Sequence, residues 1–336
     1  MNLAINGFGR IGRQVLRIVL EKHPQVNVVL INDLTDTATL AHLFEFDSSY
    51  GTYAGGEVSS SEKSITVKGK SIQVTALKDP SALPNKDLKV DVVLECTGHF
   101  TKRDDAALHL KAGAKKVIIS APCKDKADGT FCMGVNHETY DAKTMDVISN
   151  ASCTTNCLAP MMKVLNDSFG VEWGLLTTIH SYTNDQNLLD LPHKDLRRAR
   201  AAAVNMVPTS TGAAKAIGLV LPELSGKLHG SAVRVPTPTG SLNDVTVITK
   251  KEVTAELINK AFEQAAMKGS LKGLLRYESR PIVSHDIVGD PASCIFDAGL
   301  TQVIGKNLCK AFGWYDNEWG YSNRLVELAV YVGGKL

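Results

Sequence analysis

One of the seven cysteines has neighbours that could turn it into a nucleophile. Cys153 lies between Ser152 and Thr154, where a strand-like run ends and a helix is predicted to begin. Peptide dipoles at a helix start favour a thiolate and a developing oxyanion, so we predict a lowered pKa for this thiol. Such a thiol can add to an aldehyde, allow hydride to leave, and hold the product as a reactive thioester. Cys157, one helical turn later, is predicted to be buried in the core.

The best partner base among the nine histidines is His180. It ends an apolar, strand-like run where the chain enters a polar loop, so its imidazole could exchange protons there. A histidine at a strand end can also serve only as a hydrogen-bonded structural residue, and from the pattern alone this is the commoner interpretation. Spacing in the sequence does not bring His180 to the cysteine, so both interpretations stay open.

A glycine pattern near the N-terminus is typical of a dinucleotide site. Gly7, Gly9 and Gly12 follow G-x-G-x-x-G between the first predicted strand and the first predicted helix, where small residues let backbone N–H groups approach a pyrophosphate. Alone, the pattern also fits a simple tight turn. Asp33 lies 21 residues beyond Gly12, where a carboxylate can accept hydrogen bonds from ribose hydroxyls and repel a 2′-phosphate. We therefore predict NAD rather than NADP, although Asp33 could instead be a solvated turn residue.

The elements before residue 150 alternate between short β-branched runs and helical patterns, which predicts a doubly wound parallel Rossmann sheet. Thr101 and Asp104 open one helix of this region and Gly113 closes it. The predicted strands span residues 3–6, 26–32, 90–96, 117–120 and 145–150.

Longer strands with few helices follow, which favours an α+β catalytic domain with a mostly antiparallel sheet. Pro160 lies in the helix that begins near residue 153, and we expect it to bend or interrupt that helix. The predicted strands span residues 175–182, 231–236, 244–250 and 293–297. An apolar stripe predicts a C-terminal helix that must dock. The predicted domains are 1–150 for NAD binding, 151–314 for catalysis and oligomerisation, and 315–336 for the C-terminal helix.

Composition excludes some classes of function. The 336 residues exceed what one hydrophobic core usually organises, which favours two domains. The formal net charge is +2, and no apolar segment resembles a signal or a membrane span, so a cytoplasmic protein without a membrane partner is expected. A basic stretch at residues 193–200 could be read as a nucleic-acid patch, but it lacks interleaved aromatics. We therefore expect no dedicated nucleic-acid partner and at most a secondary RNA-binding activity. The cysteine spacing predicts no metal site.

Three strings carry a resemblance to a known family: NGFGRIGR at 6–13, SNASCTTNC at 149–157 and WYDNEWGY at 314–321. They resemble the glyceraldehyde-3-phosphate dehydrogenase family, and the resemblance covers essentially the whole chain. The strings HSYTNDQ at 180–186 and LPHKDLRRAR at 191–200 resemble the bacterial branch of that family.

The resemblance implies a role for each matching residue. Cys153 would be the nucleophile and His180 its activator, acting afterwards as general base while hydride leaves. Thr183 and Arg234 would hold the substrate phosphate. The attacking inorganic phosphate would contact Ser152, Thr154, Arg198, Thr211 and Gly212.

On the cofactor side, the resemblance implies NAD, with Asn317 reaching the nicotinamide from the second domain. Leu191 and Pro192 match the NAD-preferring pattern in a loop that crosses to a neighbouring subunit, so a homotetramer is implied, with the C-terminal helix returning to the first domain. The cofactor-binding residues would be Gly7, Gly9, Arg10, Ile11, Gly12, Asp33, Lys78, Thr97, Ser120 and Asn317.

Two segments depart from the family pattern, namely Cys123 after a proline and the string TGSLND at 239–244. Neither segment belongs to the catalytic residues that the resemblance implies, so the expected reaction is unaffected. Erythrose-4-phosphate dehydrogenase is the nearest alternative, and semialdehyde dehydrogenases are more distant because they lack the signal at Asp33. The expected reaction is NAD-dependent oxidation and phosphorylation of D-glyceraldehyde 3-phosphate to 1,3-bisphosphoglycerate, in glycolysis and gluconeogenesis.

Overall fold

The computed structural model describes residues 1–336, which divide into two compact units. The first unit comprises Met1–Phe131, His137–Ala151 and Ser322–Leu336, and the second comprises Cys132–Asn136 and Ser152–Tyr321. None of the helices has the length and apolarity needed to cross a membrane.

The first unit contains a nine-stranded sheet in the order β3-β4-β5-β2-β1-β6-β7-β9-β8. Its central strands are parallel and buried, because apolar runs such as that of β6 are covered on both faces. The strands are β1 (Asn2–Asn6), β2 (Asn27–Asn32), β3 (Val58–Ser61), β4 (Ser64–Val67), β5 (Lys70–Thr75), β6 (Val92–Glu95), β7 (Lys116–Ile119), β8 (Gly129–Thr130) and β9 (Val147–Ser149). The predicted Rossmann sheet is confirmed.

Four helices of this unit lie in the connections between strands. They are α1 (Arg10–Lys22), α2 (Thr37–Glu45), α3 (Arg103–Ala106) and α4 (Leu108–Lys111). The single helix predicted between β6 and β7 was wrong, because Ala107 tightens to ψ −11° and separates two short helices. The antiparallel edge β3-β4-β5 was not predicted, because β3 is polar and exposed and its pairing comes from backbone hydrogen bonds.

The second unit contains an eight-stranded mixed sheet in the order β11-β12-β10-β13-β17-β15-β14, with β16 on β17. The predicted mostly antiparallel character is confirmed, with parallel exceptions at β10–β12 and β14–β15. The strands are β10 (Val171–Ser181), β11 (Val207–Ser210), β12 (Leu228–Val235), β13 (Ser241–Thr249), β14 (Leu275–Glu278), β15 (Cys294–Asp297), β16 (Gln302–Ile304) and β17 (Leu308–Tyr315).

The longer helices of the second unit are α5 (Cys153–Phe169), α6 (Ala213–Val220) and α7 (Ala255–Met267). Of the two expectations for Pro160, an interruption of α5 was wrong, since the helix continues to Gly170, which ends it at φ 69°. Burial of most of α5, including Pro160, stabilises the helix despite the missing donor. The last helix is α8 (Trp319–Gly333), whose residues from Ser322 onward belong to the first unit.

Candidate active site

The thiol of Cys153 lies at the first turn of α5. Ser152 is the N-cap, and its hydroxyl accepts a hydrogen bond from the Thr155 backbone N–H at 3.0 Å. This cap fixes the helix start, so that the first-turn amides surround the cysteine. Cys153 keeps partial exposure, whereas Cys157 is fully buried, as predicted.

His180 lies next to Cys153 in space. The Cys153 Sγ is 3.4 Å from the His180 Nε2. The histidine is 5% exposed near the end of β10, and the parallel pairing of β10 with β12 sets it opposite Arg234. The Arg234 guanidinium lies 2.6 Å from the His180 Nδ1 and donates to the Ser181 carbonyl at 3.0 Å. A nucleophile, a base and a cation therefore converge.

Burial dominates the electrostatics of this group. It raises the pKa of the Cys153 thiol above its ordinary value, against the opposing effect of Arg234 and of hydrogen bonds from Thr154. The lowered thiol pKa predicted from the helix dipole was therefore wrong for the ligand-free chain. Burial and the Arg234 cation lower the pKa of His180 to about 3. Burial thus favours the neutral form of both side chains. The His180 Nδ1 lies 2.7 Å from the Ser181 carbonyl oxygen, so the Nε2 is the ring nitrogen that faces the thiol.

A buried tyrosine hydroxyl joins the elements that carry these residues. The Tyr315 hydroxyl lies 2.9 Å from the Thr154 Oγ1 and 2.8 Å from the Thr178 Oγ1. Its ring meets the His180 ring edge to face, with 6.0 Å between centroids. Tyr315 thus ties the end of β17 to α5 and β10. Tyr315 was not predicted from the sequence, although it lies inside the string at 314–321.

Asn317 is held by the segment that departs from the family pattern. Its Oδ1 accepts hydrogen bonds from the Gly240 N–H at 3.1 Å and from the Ser241 hydroxyl at 2.9 Å. Gly240 adopts φ 92°, a conformation that favours glycine. Because the carbonyl oxygen of Asn317 is used within the protein, its amide N–H groups are the part suited to a ligand.

Asp185 connects the two sets of residues that are expected to bind phosphate, because it contacts Thr183 of the substrate-phosphate set and Arg198 of the inorganic-phosphate set. Arg198 pairs with Asp185 and donates to the Thr209 hydroxyl at 3.0 Å, and the Thr183 hydroxyl donates to the same carboxylate. The Thr211 hydroxyl accepts the Ala213 N–H at 3.2 Å, next to Gly212 at the start of α6. Asp185 was not predicted from the sequence, because its contacts with Thr183 and Arg198 form only in the folded chain.

In the first unit, a cavity of about 330 Å³ lies at the carboxyl ends of the parallel strands. Ligands bind at this edge in doubly wound folds. Five predicted cofactor residues line it, namely Gly7, Gly9, Asp33, Lys78 and Thr97. Of the other predicted residues, Arg10, Ile11 and Gly12 form the first turn of α1, and the Ser120 N–H donates to the Glu95 carbonyl beside the cavity.

The glycines of this cavity fit a dinucleotide. A Cβ on Gly7 would lie 2.6 Å from the Thr97 nitrogen and one on Gly12 only 2.2 Å from the Gly7 carbonyl, whereas a Cβ on Gly9 would meet nothing within 4 Å. Gly9 is thus open toward the ligand side, at a helix N-terminus without a side-chain cap or an acidic first turn. The Asp33 oxygens each accept one backbone N–H, from Phe8 and Thr35, and keep acceptor capacity for ribose hydroxyls. The residues present therefore fit NAD.

No group of histidine, cysteine or acidic side chains in the structure is arranged to hold a metal ion.

Comparisons with known proteins agree with this site. Residues 1–103 match the NAD binding domain of glyceraldehyde 3-phosphate dehydrogenase, and residues 152–317 match its C-terminal domain. Glyceraldehyde-3-phosphate dehydrogenase 1 of Bacillus cereus is 60% identical over 333 residues, 99% of this chain and 98% of the relative. The enzyme of Streptomyces coelicolor is 57% identical over 336 residues, and that of Geobacillus stearothermophilus is 56% identical over 335, each covering 100% of this chain and 99% of the relative.

These matches confirm the family, the fold class and the cofactor predicted from the sequence. The chain belongs to the glyceraldehyde 3-phosphate dehydrogenase family of NAD-dependent oxidoreductases.

Proposed function

We propose that the chain converts D-glyceraldehyde 3-phosphate, NAD⁺ and inorganic phosphate to 1,3-bisphosphoglycerate and NADH, in glycolysis and gluconeogenesis, through covalent intermediates on Cys153. The observation that carries the proposal is the 3.4 Å approach of the Cys153 thiol to the His180 imidazole in a member of this family. Nucleophile and base within hydrogen-bond reach are the usual signature of covalent catalysis.

The first step is addition of the Cys153 sulfur to the aldehyde carbon. The His180 Nε2 accepts the thiol proton, a carbon–sulfur bond forms, and the carbonyl oxygen becomes a hemithioacetal hydroxyl after taking a proton back. The first-turn amides of α5 stabilise negative charge on that oxygen. A substrate phosphate bound at Arg234 and Thr183 would offset the Arg234 charge that depresses the basicity of His180.

Oxidation and acyl transfer follow. His180 accepts the hydroxyl proton of the hemithioacetal as hydride leaves the same carbon, which yields a thioester on Cys153. NAD⁺, when bound, supplies the hydride acceptor, and the Asn317 amide is available to orient its carboxamide. A phosphate oxygen then attacks the thioester carbon, the carbon–sulfur bond breaks, and the acyl phosphate leaves a free Cys153.

The attacking phosphate is proposed to bind at Ser152, Thr154, Arg198, Thr211 and Gly212. Arginine forks and hydroxyls suit this anion. The Thr154 hydroxyl contacts Tyr315, so we assign its backbone N–H, and not its side chain, to phosphate. Entry of the anion would compete with Asp185 for the Arg198 guanidinium.

We also propose that the protein is a cytoplasmic homotetramer. The loop at 183–206 exposes six large apolar side chains at 59% to 81% of their surface, and the open face of the second sheet exposes Trp173 and Leu175 at 61% and 64%. Contiguous apolar surface of this kind is typical of a subunit interface. The exposed side chains of the loop are Leu188, Leu189, Leu191, Leu196, Val204 and Met206.

The reaction is tested by following NADH formation from glyceraldehyde 3-phosphate with and without inorganic phosphate. With phosphate, we expect continuous turnover; without it, we expect one burst of NADH per active site, because the thioester then accumulates. Cys153→Ser should abolish both phases and leave NAD⁺ binding intact. Cys157→Ser, at a fully buried position, is the matched control and should retain turnover.

Retained turnover in Cys153→Ser would contradict the covalent mechanism. A higher kcat/KM for erythrose 4-phosphate than for glyceraldehyde 3-phosphate would instead favour the alternative sugar phosphate, which the comparisons do not support.

A further inference from the structure

A chain of buried polar side chains runs behind the dinucleotide cavity, at the carboxyl ends of β6, β1 and β2. Glu95, the last residue of β6, is 1% exposed, and His109 on α4 is 0% exposed. Neither lines the cavity, whereas Asn6 and Thr97, which both bond to Glu95, do. A carboxylate buried this deeply requires compensation by hydrogen bonds.

Four donors converge on the Glu95 carboxylate. Its Oε2 accepts the Asn6 side-chain amide at 2.5 Å and lies 3.0 Å from the His109 Nε2. Its Oε1 accepts the Thr97 N–H at 2.8 Å and also the Thr97 hydroxyl. An ionised carboxylate has room for about four such bonds, so its acceptor capacity is used completely.

His109 is buried with only one of its two ring nitrogens near a hydrogen-bond partner. Its Nε2 faces Glu95, but its Nδ1 has no hydrogen-bond partner. Leaving a buried ring nitrogen unpaired costs stability. The arrangement therefore orients the Glu95 carboxylate at some cost to the stability of the first unit.

The polar chain reaches residues on two sides of the cavity. The Asn6 Oδ1 accepts the Asn32 amide at 2.7 Å, and the Asn32 Oδ1 accepts the Leu77 N–H at 2.9 Å, directly before Lys78. On the other side, the Thr97 backbone lies so close to Gly7 that no side chain fits between them. One carboxylate thus fixes both the glycine turn and the loop that carries Lys78.

We propose that Glu95, oriented by His109, is a positioning residue for NAD binding. It holds Asn6 and Thr97 so that the cavity keeps its shape before the cofactor arrives, which lowers the ordering cost of binding. The proposal rests on the NAD-binding function of the first unit and not on the thioester mechanism. Direct binding therefore tests it independently of catalysis.

The test is isothermal titration of NAD⁺ into the ligand-free protein and its Glu95→Gln variant. Glutamine keeps the size of the side chain but turns one acceptor into a donor that faces another donor. We expect the Kd for NAD⁺ to rise by about tenfold or more, the loss typical of a charged hydrogen bond. In steady-state assays, KM for NAD⁺ should rise while kcat at saturating NAD⁺ stays within about twofold.

Lys116→Met is the matched control for a general loss of stability. Lys116 is 6% exposed on the neighbouring strand β7 and pairs with Asp146 at 2.6 Å, but it does not line the cavity. We expect it to lower the thermal unfolding midpoint and leave the Kd for NAD⁺ within about twofold. An unchanged Kd in folded Glu95→Gln, or an equal rise in Lys116→Met, would overturn the proposal.

If Glu95→Gln does not fold, a pair of variants at the other end of the contact decides the question. His109→Gln keeps an N–H donor for Glu95, and His109→Leu removes it. We expect the leucine variant to weaken NAD⁺ binding more than the glutamine variant does. Equal Kd values in both variants would overturn the proposal.

Discussion

At the scale of single residues, the proposed reaction uses the Cys153 thiol and the His180 imidazole, which share Arg234 as a neighbouring cation. Arg234 lies against the His180 Nδ1, and its charge lowers the pKa of both His180 and Cys153. Burial raises the pKa of the thiol, so the Arg234 charge opposes it there. Burial lowers the pKa of the imidazole, so the two effects add there. Arg234 is therefore expected to control how readily the thiol ionises before substrate binds.

Replacing Arg234 by leucine should slow alkylation of Cys153 in the ligand-free enzyme. Without the cation, the pKa of the thiol rises, so a smaller fraction is thiolate at any pH below that pKa, and the rate profile moves to higher pH. The kcat/KM for glyceraldehyde 3-phosphate should also fall by roughly 10- to 100-fold, because the proposed charged hydrogen bond from Arg234 to the substrate phosphate is lost. The measurement is the rate of iodoacetamide inactivation as a function of pH.

Arg234→Lys is the control for this prediction, because it keeps the charge and loses the planar fork. Its alkylation profile should stay near that of the unchanged chain even if its kcat/KM falls. A profile for Arg234→Leu that stays in place or moves to lower pH would contradict the electrostatic role of Arg234.

Single residues also show which features of the candidate site could be predicted from the sequence and which could not. Cys153 could be singled out from its flanking hydroxyls and predicted helix start, but the net direction of its pKa could not, since burial is a property of the folded chain. Asp185 and Tyr315 carry no local signal. Their contacts join residues that are distant in the sequence, as with Tyr315 and Thr154.

At the scale of elements, three segments must meet for the contact between Cys153 and His180 to form. The start of α5 brings Cys153, β10 brings His180, and the end of β17 supplies Tyr315, whose hydroxyl bonds to both of the other elements. Tyr315 is 1% exposed, so water cannot replace these bonds. The hydroxyl therefore contributes to stability as well as to the position of the helix start.

Tyr315→Phe should lower the free energy of unfolding by about 1–3 kcal/mol, because it leaves the buried hydroxyls of Thr154 and Thr178 without their shared partner. We expect kcat to fall as well, since the start of α5 is held less firmly. Urea unfolding followed by circular dichroism, together with steady-state kinetics, measures both effects. Tyr277→Phe is the matched control, because the hydroxyl of the half-buried Tyr277 bonds to no other group of the protein. Equal stability of the two variants would contradict this role.

Elements with strong periodicity were predicted well, and those decided by tertiary packing were not. The apolar runs of β1, β6 and β7 identify buried parallel strands without further information. The unbroken course of α5 through Pro160 depends instead on burial against the second sheet and its neighbouring helices. Propensity alone could not reveal that support.

At the scale of the whole molecule, the second unit has one sheet face covered by its helices and another that carries exposed apolar side chains. Along β10, Trp173 and Leu175 point to the open face, while Leu176 and Thr178 are buried. Trp173 lies opposite Ile248 of β13, which extends the apolar surface across strands. Such a face fits a second copy of the chain better than it fits water.

Replacing Trp173 and Leu175 together by glutamate should therefore shift the proposed tetramer to smaller species. Burying two carboxylates in an apolar interface costs several kcal/mol for each charge, more than a subunit contact of ordinary size can offset. Sedimentation equilibrium across a range of protein concentrations measures the change.

Met267→Glu on α7 is the control, since Met267 is 60% exposed but lies outside that face. The assembly formed by this variant should have the same mass as the assembly formed by the unsubstituted protein. A tetramer that persists with both glutamates would show that subunits associate through another surface, and the apolar loop at 183–206 would then be the next candidate.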